Sequence, residues 1–444
     1  MRIRQIAVDG LFGIFDHAIP MKMEDRITII HGPNGFGKTV LLNMIDALLT
    51  GRHSQLRSVP FRSLRVDFDE HRTLRVKRDQ NGAEKRNGPI AQLTFEFTEG
   101  NSKKKTFAPK RAERPRYHFP LAAIESEIPE LARIGPESWV HLPTQEELSL
   151  EEVMERFGEQ FPLQYEPVER EPPWLADIRK AIPVRFIETQ RLLRMPRSRR
   201  RSVPNERRPM EPAVVTYAQE LAATIKATLA EYANLSQSLD RSFPTRLVSS
   251  DASTDLTTDD LRNELSALED KRSRLVDAGL LDREKGLDFR QLQAIDERNR
   301  NVLSVYVTDA QQKLSVFDEI SKKLDLFKQI IKDRFLYKEM VITSKDGLVF
   351  RTADGKTLQP TFLSSGEQHV VVLFYELLFK VGPNSLILID EPELSLHVIW
   401  QQQFLQALAN ITKLGNFDVL IATHSPQIIH DRWDLTVELK GPTS

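Results

Sequence analysis

Gly32-Pro33-Asn34-Gly35-Phe36-Gly37-Lys38-Thr39 matches G-x-x-x-x-G-K-[ST], the pattern of a loop that wraps the phosphates of a nucleotide. The preceding run, Arg26–His31, is apolar and β-branched and predicts a buried strand. Beyond Lys38, apolar residues recur at helical spacing as far as Gly51, a typical helix stop. A glycine loop between a strand and a helix points backbone N–H groups at an anion. We therefore expect all eight residues to contact a nucleotide, with Lys38 on the β- and γ-phosphates and Thr39 on Mg²⁺.

The composition is that of an ordinary soluble protein. The chain has 444 residues, 40% hydrophobic and 28% charged, enough for roughly two or three domains. Its net charge of −1 provides no global field toward nucleic acid or membrane. Because there is no cysteine, disulfides, thiolate zinc sites and a cysteine nucleophile are excluded. The sequence shows no signal peptide and no apolar run near the ~18 residues of a membrane span, so we expect a cytoplasmic location and no membrane contact.

Short strands are predicted on both sides of the phosphate loop. Ile3–Val8 alternates apolar and polar residues, and a second strand is expected through Ile19. Residues 130–180 are rich in proline and predict an irregular segment with one helix from Glu146 to Phe157. Three alternating runs predict an antiparallel meander with one face open to water, with Asn81-Gly82 as a hairpin signal. These runs are Leu64–Phe68, Thr73–Lys77 and Gln92–Phe97.

Two basic segments are candidate contacts for an anionic partner. Residues 101–118 combine lysines and arginines with prolines, and a solvated linker is favoured over a nucleic-acid contact there. The strand Val184–Ile187 leads into a second, arginine-only segment that is either a flexible loop or a contact for nucleic acid or an acidic protein. Bidentate pairing suits arginine, so both interpretations of Arg191–Arg208 stay open. Its cations are Arg191, Arg194, Arg197, Arg199, Arg200, Arg201, Arg207 and Arg208.

Helical periodicity dominates the middle of the chain. A first helix is predicted from Val214 to Leu239, ended by Ser242-Phe-Pro-Thr245. Thr258 is the expected N-cap of a second helix, which Gly279 ends, and a long third helix is predicted from about Phe289 to Phe335. The last two form either an antiparallel hairpin that projects from the globular part or a subdomain packed on the core.

A second anion site is predicted at Leu363-Ser-Ser-Gly-Glu-Gln368, which precedes an apolar helix from Val370 to Val381. One chain does not need two such sites for one nucleotide. We therefore expect this turn to contact the γ-phosphate bound by a second copy of the chain, although an ordinary N-cap is the alternative. The residues concerned are Ser364, Ser365, Gly366 and Glu367.

Two adjacent carboxylates follow the aliphatic strand Ser385–Ile389. Because side chains alternate along a strand, Asp390 and Glu391 are expected to have different tasks. Asp390 is placed for Mg²⁺, and Glu391 is placed to accept the proton of an attacking water. Glu393–His397 is expected to begin a helix. A last apolar strand, Phe417–Ala422, ends next to His424, which is placed to contact a transferring phosphate.

Taken together and in this order, the motifs resemble those of the ABC-type ATPase head, in the SMC/RecF/OLD-like branch. The resemblance implies an α/β fold, a mixed β-sheet with flanking helices plus an antiparallel meander, interrupted by a helical, coiled-coil-like insertion. It makes Gln190 a nucleotide and Mg²⁺ ligand, and it makes Lys38, Glu391 and His424 the catalytic set with ATP and Mg²⁺. Ser365 stands where glycine is usual, and His397 stands near a usually acidic position.

The resemblance also divides the chain into segments. Residues 1–130 and 336–444 are expected to form the two halves of the head, with 182–195 as its Q-loop segment. Residues 131–181 are expected to be an irregular insert, and 196–335 the basic loop and helical insertion.

More narrowly, two stretches of the chain resemble those of the ATPase subunits of PARIS- and Septu-type anti-phage systems. They are Glu-Thr-Gln190-Arg-Leu and Leu363-Ser-Ser-Gly-Glu-Gln-His. The resemblance implies a homodimer or higher homo-oligomer through the heads, with a separately encoded nuclease or toxin effector. A DNA-binding repair ATPase of the RecF kind is the alternative. A transporter motor is disfavoured by the long helical insertion, and a built-in nuclease by the short segment after His424.

Overall fold

The computed structural model describes residues 1–79, 92–100, 103–109, 121, 124–125, 128, 131–142, 146–157, 171–187, 193–194, 211–249, 257–282 and 299–441. The chain forms two compact units. The first, here called the nucleotide unit, comprises Met1–Glu211 and Glu376–Ser444, and the second, the insertion unit, comprises Pro212–Tyr375.

The nucleotide unit contains helices α1–α4 and α10–α12 together with strands β1–β13 and β17–β19. In chain order these are β1 Ile3–Leu11, β2 Phe15–Pro20, β3 Ile27–His31, α1 Lys38–Thr50, α2 His53–Ser58, β4 Ser63–Phe68, β5 Arg72–Asp79, β6 Gln92–Glu99, β7 Lys105–Phe107, β8 Leu131–Arg133, β9 Ser138–His141, β10 Glu146–Ser149, α3 Leu150–Phe157, α4 Pro173–Ala181, β11 Val184–Ile187, β12 Leu193–Arg194, β13 Glu211–Pro212, a π-helical turn Glu376–Lys380, β17 Leu386–Asp390, a 3₁₀ turn Pro392–Ser395, α10 Val398–Gln402, α11 Phe404–Gly415, β18 Asp418–Ala422, α12 Pro426–Ile429, a 3₁₀ turn Trp433–Leu435 and β19 Thr436–Glu438.

The insertion unit contains the remaining elements. These are α5 Ala213–Ser249, α6 Thr258–Asp277, α7 Arg300–Ser315, α8 Asp318–Lys332, β14 Lys338–Thr343, β15 Gly347–Thr352, β16 Thr357–Leu358, a 3₁₀ turn Pro360–Phe362 and α9 Ser365–Tyr375. Strand β13 spans the boundary, because Glu211 lies in the nucleotide unit and Pro212 lies in the insertion unit.

A five-stranded sheet in the order β11-β17-β18-β3-β19 positions the site. Every pair in it is parallel. The inner strands are mostly Val, Ile and Leu, with the buried Thr28 in β3, because both faces of a parallel sheet are covered. Asp390 pairs in register with Ala422, which itself pairs with Ile30. The carboxyl ends of β17, β18 and β3 therefore lie along one edge of the sheet, where ligands bind in open α/β sheets.

The predicted meander is confirmed as part of a six-stranded antiparallel sheet in the order β2-β1-β4-β5-β6-β7. Alternate side chains such as Leu74 and Val76 on β5 point into a core shared with α1. The Asn81-Gly82 hairpin signal lies outside the described residues, although β5 and β6 pair antiparallel on either side of it. The mixed α/β class expected from the sequence is thus the observed one.

The prediction that residues 130–180 are irregular was wrong. Strands β10-β9-β8 form a small antiparallel sheet whose core includes the fully buried Trp139. The helix expected from Glu146 begins only at Leu150, because Glu146–Ser149 pairs with β9 instead. Ser149 caps the helix: its N–H and hydroxyl donate to Glu152, whose own N–H donates to the Ser149 hydroxyl. This S-x-x-E pattern is a start signal that the periodicity analysis overlooked.

Proline does not end helix α5, contrary to prediction. The helix continues through Pro244 to Ser249. Arg246, two residues beyond the proline, donates to the Leu239 carbonyl at 2.8 Å and to the buried Asp309 carboxylate on α7 at 2.7 Å. These contacts stabilise the turns that the missing proline N–H weakens.

Two further boundaries in the insertion unit differ from prediction. The N-cap of α6 is Thr257 rather than Thr258, because Thr257 exchanges hydrogen bonds with Asp260 in a capping box. The expected long third helix is two helices in the described part, α7 and α8, separated at the fully buried Phe317. Asp318 and Glu319 occupy the first turn of α8, where the helix dipole favours acidic side chains. Helix α7 packs on α5 and α6, and α5 packs on β15, so the helices form a packed bundle with the sheet.

Among the described helices, none combines the length and the apolar character that crossing a bilayer requires.

Two glycines on the β14-β15-β16 sheet allow a matched test of packing. Gly347 and Gly355 have φ of +72° and +80°, but a Cβ on Gly347 would lie 1.8 Å from the Ala218 carbonyl oxygen of α5, whereas one on Gly355 meets nothing within 4 Å. We predict that Gly355→Ala costs about 1–2 kcal/mol from the backbone alone. Gly347→Ala adds a backbone clash and should lower the thermal unfolding midpoint clearly further. Equal midpoints for the two variants would contradict the packing of β15 on α5.

Candidate functional site

The phosphate loop has the backbone geometry that its glycines predict. Gly35 and Gly37 lie in the left-handed region with φ of +88° and +81°. A Cβ on Gly37 would lie 2.7 Å from Leu11 Cδ2. Both this contact and the positive φ exclude a larger residue at position 37. Helix α1 begins at Lys38 with Gly37 as its N-cap, and no side chain caps it. Its first N–H groups therefore remain available to an anion.

Lys38 is positioned by the loop itself. Its Nζ donates to the carbonyl oxygens of Gly32 at 2.8 Å and Pro33 at 3.2 Å, and only 6% of the residue is exposed. Phosphate oxygens placed inside the loop would compete for the same ammonium protons. Lys38 therefore lies within the loop, and its contact with the β- and γ-phosphates stays a prediction.

His17 supports the loop from β2 and was not predicted. Its Nε2 lies 3.0 Å from the Phe36 carbonyl oxygen, and its ring stacks on Phe15, which also contacts the Phe36 ring. Burial lowers the pKa of His17, so a neutral ring is favoured. His17 lies on the buried side of β2, in line with Phe15 and Ile19. A histidine at such a position is typical of a structural residue, so the sequence pattern did not identify it as part of the site.

Asp390 and Thr39, two of the residues predicted to bind Mg²⁺, lie side by side. The Thr39 hydroxyl lies beside the Asp390 carboxylate and acts to lower its pKa. Burial raises the pKa of Asp390 and Glu393 adds to this, while Thr39 and Lys38 oppose it. Asp390 Oδ1 is buried without a hydrogen-bond partner in the described part of the chain. A buried carboxylate oxygen beside a hydroxyl is an oxygen donor set that suits Mg²⁺.

Glu391 ends the strand in a strained conformation. Its φ of +43° lies in the left-handed region, which is costly for a residue other than glycine. The Glu391 N–H still donates to the Ala422 carbonyl at 2.9 Å, so the turn is tied to β18. Its carboxylate thereby faces the end of β18 and lies 2.6 Å from His424 Nδ1.

Glu391 and His424 each shift the pKa of the other. Burial, followed by contact with Glu393, raises the pKa of Glu391 to about 7, although His424 opposes the shift. The Glu391 carboxylate in turn raises the pKa of His424, whose side chain is 49% exposed. A carboxyl group with a pKa near neutrality is suited to accept and release a proton.

Glu393 is a site residue that the sequence analysis missed. Its Oε1 accepts the Thr423 hydroxyl at 2.6 Å and the N–H groups of His424 and Ser425 at 3.2 and 3.1 Å. Only 8% of the residue is exposed. Glu393 therefore fixes the turn that carries His424. The segment does not begin a helix as predicted, since it forms a 3₁₀ turn and α10 starts at Val398.

The predicted second anion site lies in the insertion unit. Helix α9 begins at Ser365, earlier than the predicted Val370, and gives way to a π-helical turn after Tyr375. Ser364 and Glu367 form a capping box, and Lys338 donates to Glu367 at 2.7 Å. Burial alone would raise the pKa of Glu367, but Lys338 and Ser364 hold it below its usual range.

The ordinary N-cap expected as the alternative is therefore present. Ser364 and Ser365 are both exposed, and Gly366 is half-buried.

Gln190 and most of the Arg191–Arg208 segment lie outside the described residues, as do residues 101–102 and 110–118 of the 101–118 run. Their predicted contacts stay predictions. In the described part, Lys104 pairs with Glu96 at 2.6 Å, as a solvated basic stretch on a sheet surface would.

Comparison with known proteins assigns the class. Residues 195–430, more than half of the chain, match the family described as "AAA domain, putative AbiEii toxin, Type IV TA system". The chain belongs to this AAA-domain family. Residues 12–140 match a second AAA-domain family, so both halves of the nucleotide unit are covered in part. The resemblance to SMC/RecF/OLD-like ATPases inferred from the motifs is confirmed at this level.

Shorter similarities link the chain to individual proteins. It is 37% identical over 76 residues to protein ea59 of Escherichia phage lambda, covering 17% of this chain. It is 35% identical over 79 residues, 15% of this chain, to the "Retron Ec83 probable ATPase" of Escherichia coli. The chain spans 14% of the length of each of these curated relatives.

Solved SMC head domains are also similar, at low TM-scores. The head domain of Thermotoga maritima matches at 11% identity with a TM-score of 0.31, over 97% of this chain and 91% of that one. A head domain with an extended coiled coil, bound to the C-terminal domain of ScpA from Pyrococcus furiosus, matches at 11% identity with a TM-score of 0.32, over 100% and 94%. The family assignment does not rest on these two structures.

The Thr423–Glu393 hydrogen bond provides a test of the site's rigidity. Thr423→Val removes the hydroxyl that faces a buried carboxylate, which should cost about 1.5–3 kcal/mol. Thr412→Val is the matched control, since Thr412 is equally buried but donates only to the Ala409 carbonyl of its own helix. The free energy of unfolding in urea should fall more for Thr423→Val. A larger loss for Thr412→Val would contradict the role assigned to Glu393.

Proposed function

We propose that this AAA-domain protein binds and hydrolyses ATP·Mg²⁺ and that two copies dimerise around the nucleotide. The observation that carries the proposal is the meeting of Thr39 with Asp390 at the carboxyl edge of the parallel sheet. A phosphate loop alone could hold many anions. A loop hydroxyl beside a carboxylate at the end of β17, two strands away from β3 in the same sheet, suits a nucleotide with its metal.

Residues of the nucleotide unit fit a magnesium ion. Asp390 and Thr39 would hold it, and Gln190 is the further ligand that the motif resemblance implies. Bound Mg²⁺ supplies positive charge that neutralises the phosphates. The loop N–H groups and Lys38 bind and orient the β- and γ-phosphates from the other side.

Glu391 is the proposed general base. The bond from its N–H to the Ala422 carbonyl ties its backbone to the end of β18, and the contact with His424 Nδ1 at 2.6 Å orients its carboxylate. A pKa raised to about 7 lets it accept a proton from water near neutral pH. His424 orients this carboxylate and is placed to contact the γ-phosphate.

The proposed dimer completes the site from the insertion unit. Ser364, Ser365, Gly366 and Glu367 lie at the N-terminus of α9 with both serines exposed. We propose that this end of α9 contacts the γ-phosphate held by the other copy. ATP would then join the two chains, and hydrolysis would release them.

A separately encoded nuclease or toxin is the proposed partner. The similarity to the retron ATPase over 79 residues supports a role as the ATPase subunit of a cytoplasmic bacterial anti-phage system. Nucleotide state would then decide whether the effector is held or released. Affinity purification of the chain from its native host, followed by mass spectrometry, should recover one effector in amounts that depend on ATP. Recovery of DNA without any effector would favour the repair ATPase instead.

Glu391→Gln tests the base. The substitution keeps the size of the side chain but cannot accept the proton, so we predict that the ATP hydrolysis rate falls at least ~100-fold. Nucleotide affinity, measured by fluorescence with a labelled ATP analogue, should change little. Glu438→Gln on the exposed end of β19 is the control and should hydrolyse at the wild-type rate. Undiminished turnover in Glu391→Gln would remove Glu391 from the reaction.

The dimer is tested by trapping it. Light scattering coupled to size exclusion should show the mass of Glu391→Gln rising from 51.0 kDa toward twice that value when ATP·Mg²⁺ is added. Adding Ser364→Arg to the same chain should abolish this rise, because a bulky cation blocks the proposed contact. If the double variant dimerises as readily as the single one, the α9 terminus is not at the interface.

A further inference from the structure

Three side chains at the edge of the parallel sheet converge on one point. His424 Nδ1 lies 2.6 Å from a Glu391 oxygen and 3.5 Å from a Glu393 oxygen. One donor atom from each of the three residues lies within 4.8 Å of the other two. Two ligands bound to one ion at about 2.1 Å are separated by at most about 4.2 Å, so small side-chain rotations would suffice to share an ion.

The two carboxylates lie close together. One oxygen of Glu391 lies within 4.8 Å of one oxygen of Glu393, and Glu393 raises the pKa of Glu391, so a proton or a cation between the two is favourable. Glu393 Oε1 is satisfied by three donors, but its buried Oε2 has no hydrogen-bond partner within the described residues. Such an oxygen on a residue only 8% exposed is costly unless something binds it.

The donor set selects the kind of cation. Imidazole nitrogen with two carboxylates suits Zn²⁺ and related transition metals, and three protein ligands leave a fourth position open. Mg²⁺ prefers oxygen ligands throughout, so the histidine disfavours it. The N–H and hydroxyl bonds to Glu393 Oε1 also fit, because ligating carboxylates are held by such outer contacts. His424 is half exposed, which provides an entry path from solvent.

We propose that Glu391, Glu393 and His424 form a binding site for one divalent transition-metal ion of the Zn²⁺ class, separate from the Mg²⁺ that accompanies ATP. Binding requires no nucleotide and goes beyond the proposed function. An ion bound there withholds the Glu391 carboxylate from water. The same site therefore makes ATP hydrolysis sensitive to zinc.

The experiment titrates the full-length protein, free of nucleotide, with ZnCl₂ in competition with a chromogenic chelator. Because the chain has no cysteine, no thiolate contributes to the background. We expect one tight Zn²⁺ per chain and no displacement of it by millimolar Mg²⁺. Glu393→Gln, which keeps an oxygen acceptor for Thr423, should weaken zinc binding at least ~10-fold, as should His424→Ala.

Two controls separate this site from others. His397→Ala removes an exposed histidine of the neighbouring turn and should bind zinc like the wild type. Lys38→Ala removes the phosphate lysine and should also keep zinc binding, so failure of the ATPase proposal leaves this result intact. Circular dichroism of each variant verifies that it is folded.

The proposal is overturned if the wild type binds no zinc ahead of the chelator. It is equally overturned if folded Glu393→Gln and His424→Ala bind zinc as tightly as the wild type, since the metal would then lie elsewhere. In either case a shared proton satisfies the two carboxylates.

Discussion

The register between β17 and β18 is the constraint on which the rest of the site depends. Because Asp390 pairs with Ala422, the residues that follow each strand are brought side by side. Glu391 and His424 then lie in contact, although more than thirty residues separate them along the chain. A shift of one residue in this pairing would turn every side chain to the opposite face of the sheet. Bonds at both ends of the pairing hold this register, since the Asp418 N–H donates to the Ser385 carbonyl and the Glu391 N–H donates to the Ala422 carbonyl, each at 2.9 Å.

Burying several carboxylates at one edge of a sheet is costly unless each has a hydrogen-bond donor or a cation nearby, and each carboxylate of this site has at least one. Asp390 has Thr39 and the nearby Lys38, Glu391 has His424, and Glu393 accepts three donors from the turn after β18. Among the described residues, Asp390 Oδ1 and Glu393 Oε2 are buried without a hydrogen-bond partner, as is Glu391 Oε2 apart from its 2.6 Å contact with His424 Nδ1. The Asp390 oxygen matches the cation proposed to accompany the nucleotide, and the two glutamate oxygens match the cation proposed beside His424.

Much of this architecture was readable from sequence because its signals are local. The phosphate loop, the aliphatic strand before Asp390 and the strand before His424 each carry their own pattern. Glu393 escaped notice because a carboxylate in a turn is typical of a solvated surface, and only the fold shows that it is buried. The continuation of α5 through Pro244 was unreadable for a similar reason, since it depends on Arg246 reaching Asp309 on a distant helix. The caps at Ser149 and Thr257 were present in the sequence but were outweighed by apolar periodicity.

The nucleotide unit supplies the phosphate loop, metal ligand and base, whereas the serine-glycine turn belongs to the insertion unit. The proposed dimer rests on this division, because the turn of one copy would meet the nucleotide of the other. The central claim is that Asp390 and the phosphate loop bind one ATP·Mg²⁺ together. The direct measurement is calorimetric titration with a non-hydrolysable ATP analogue, with and without Mg²⁺, on the wild type and Asp390→Asn. The account predicts that Mg²⁺ tightens binding to the wild type at least ~10-fold and has little effect on Asp390→Asn. An equal gain from Mg²⁺ in both proteins would contradict it.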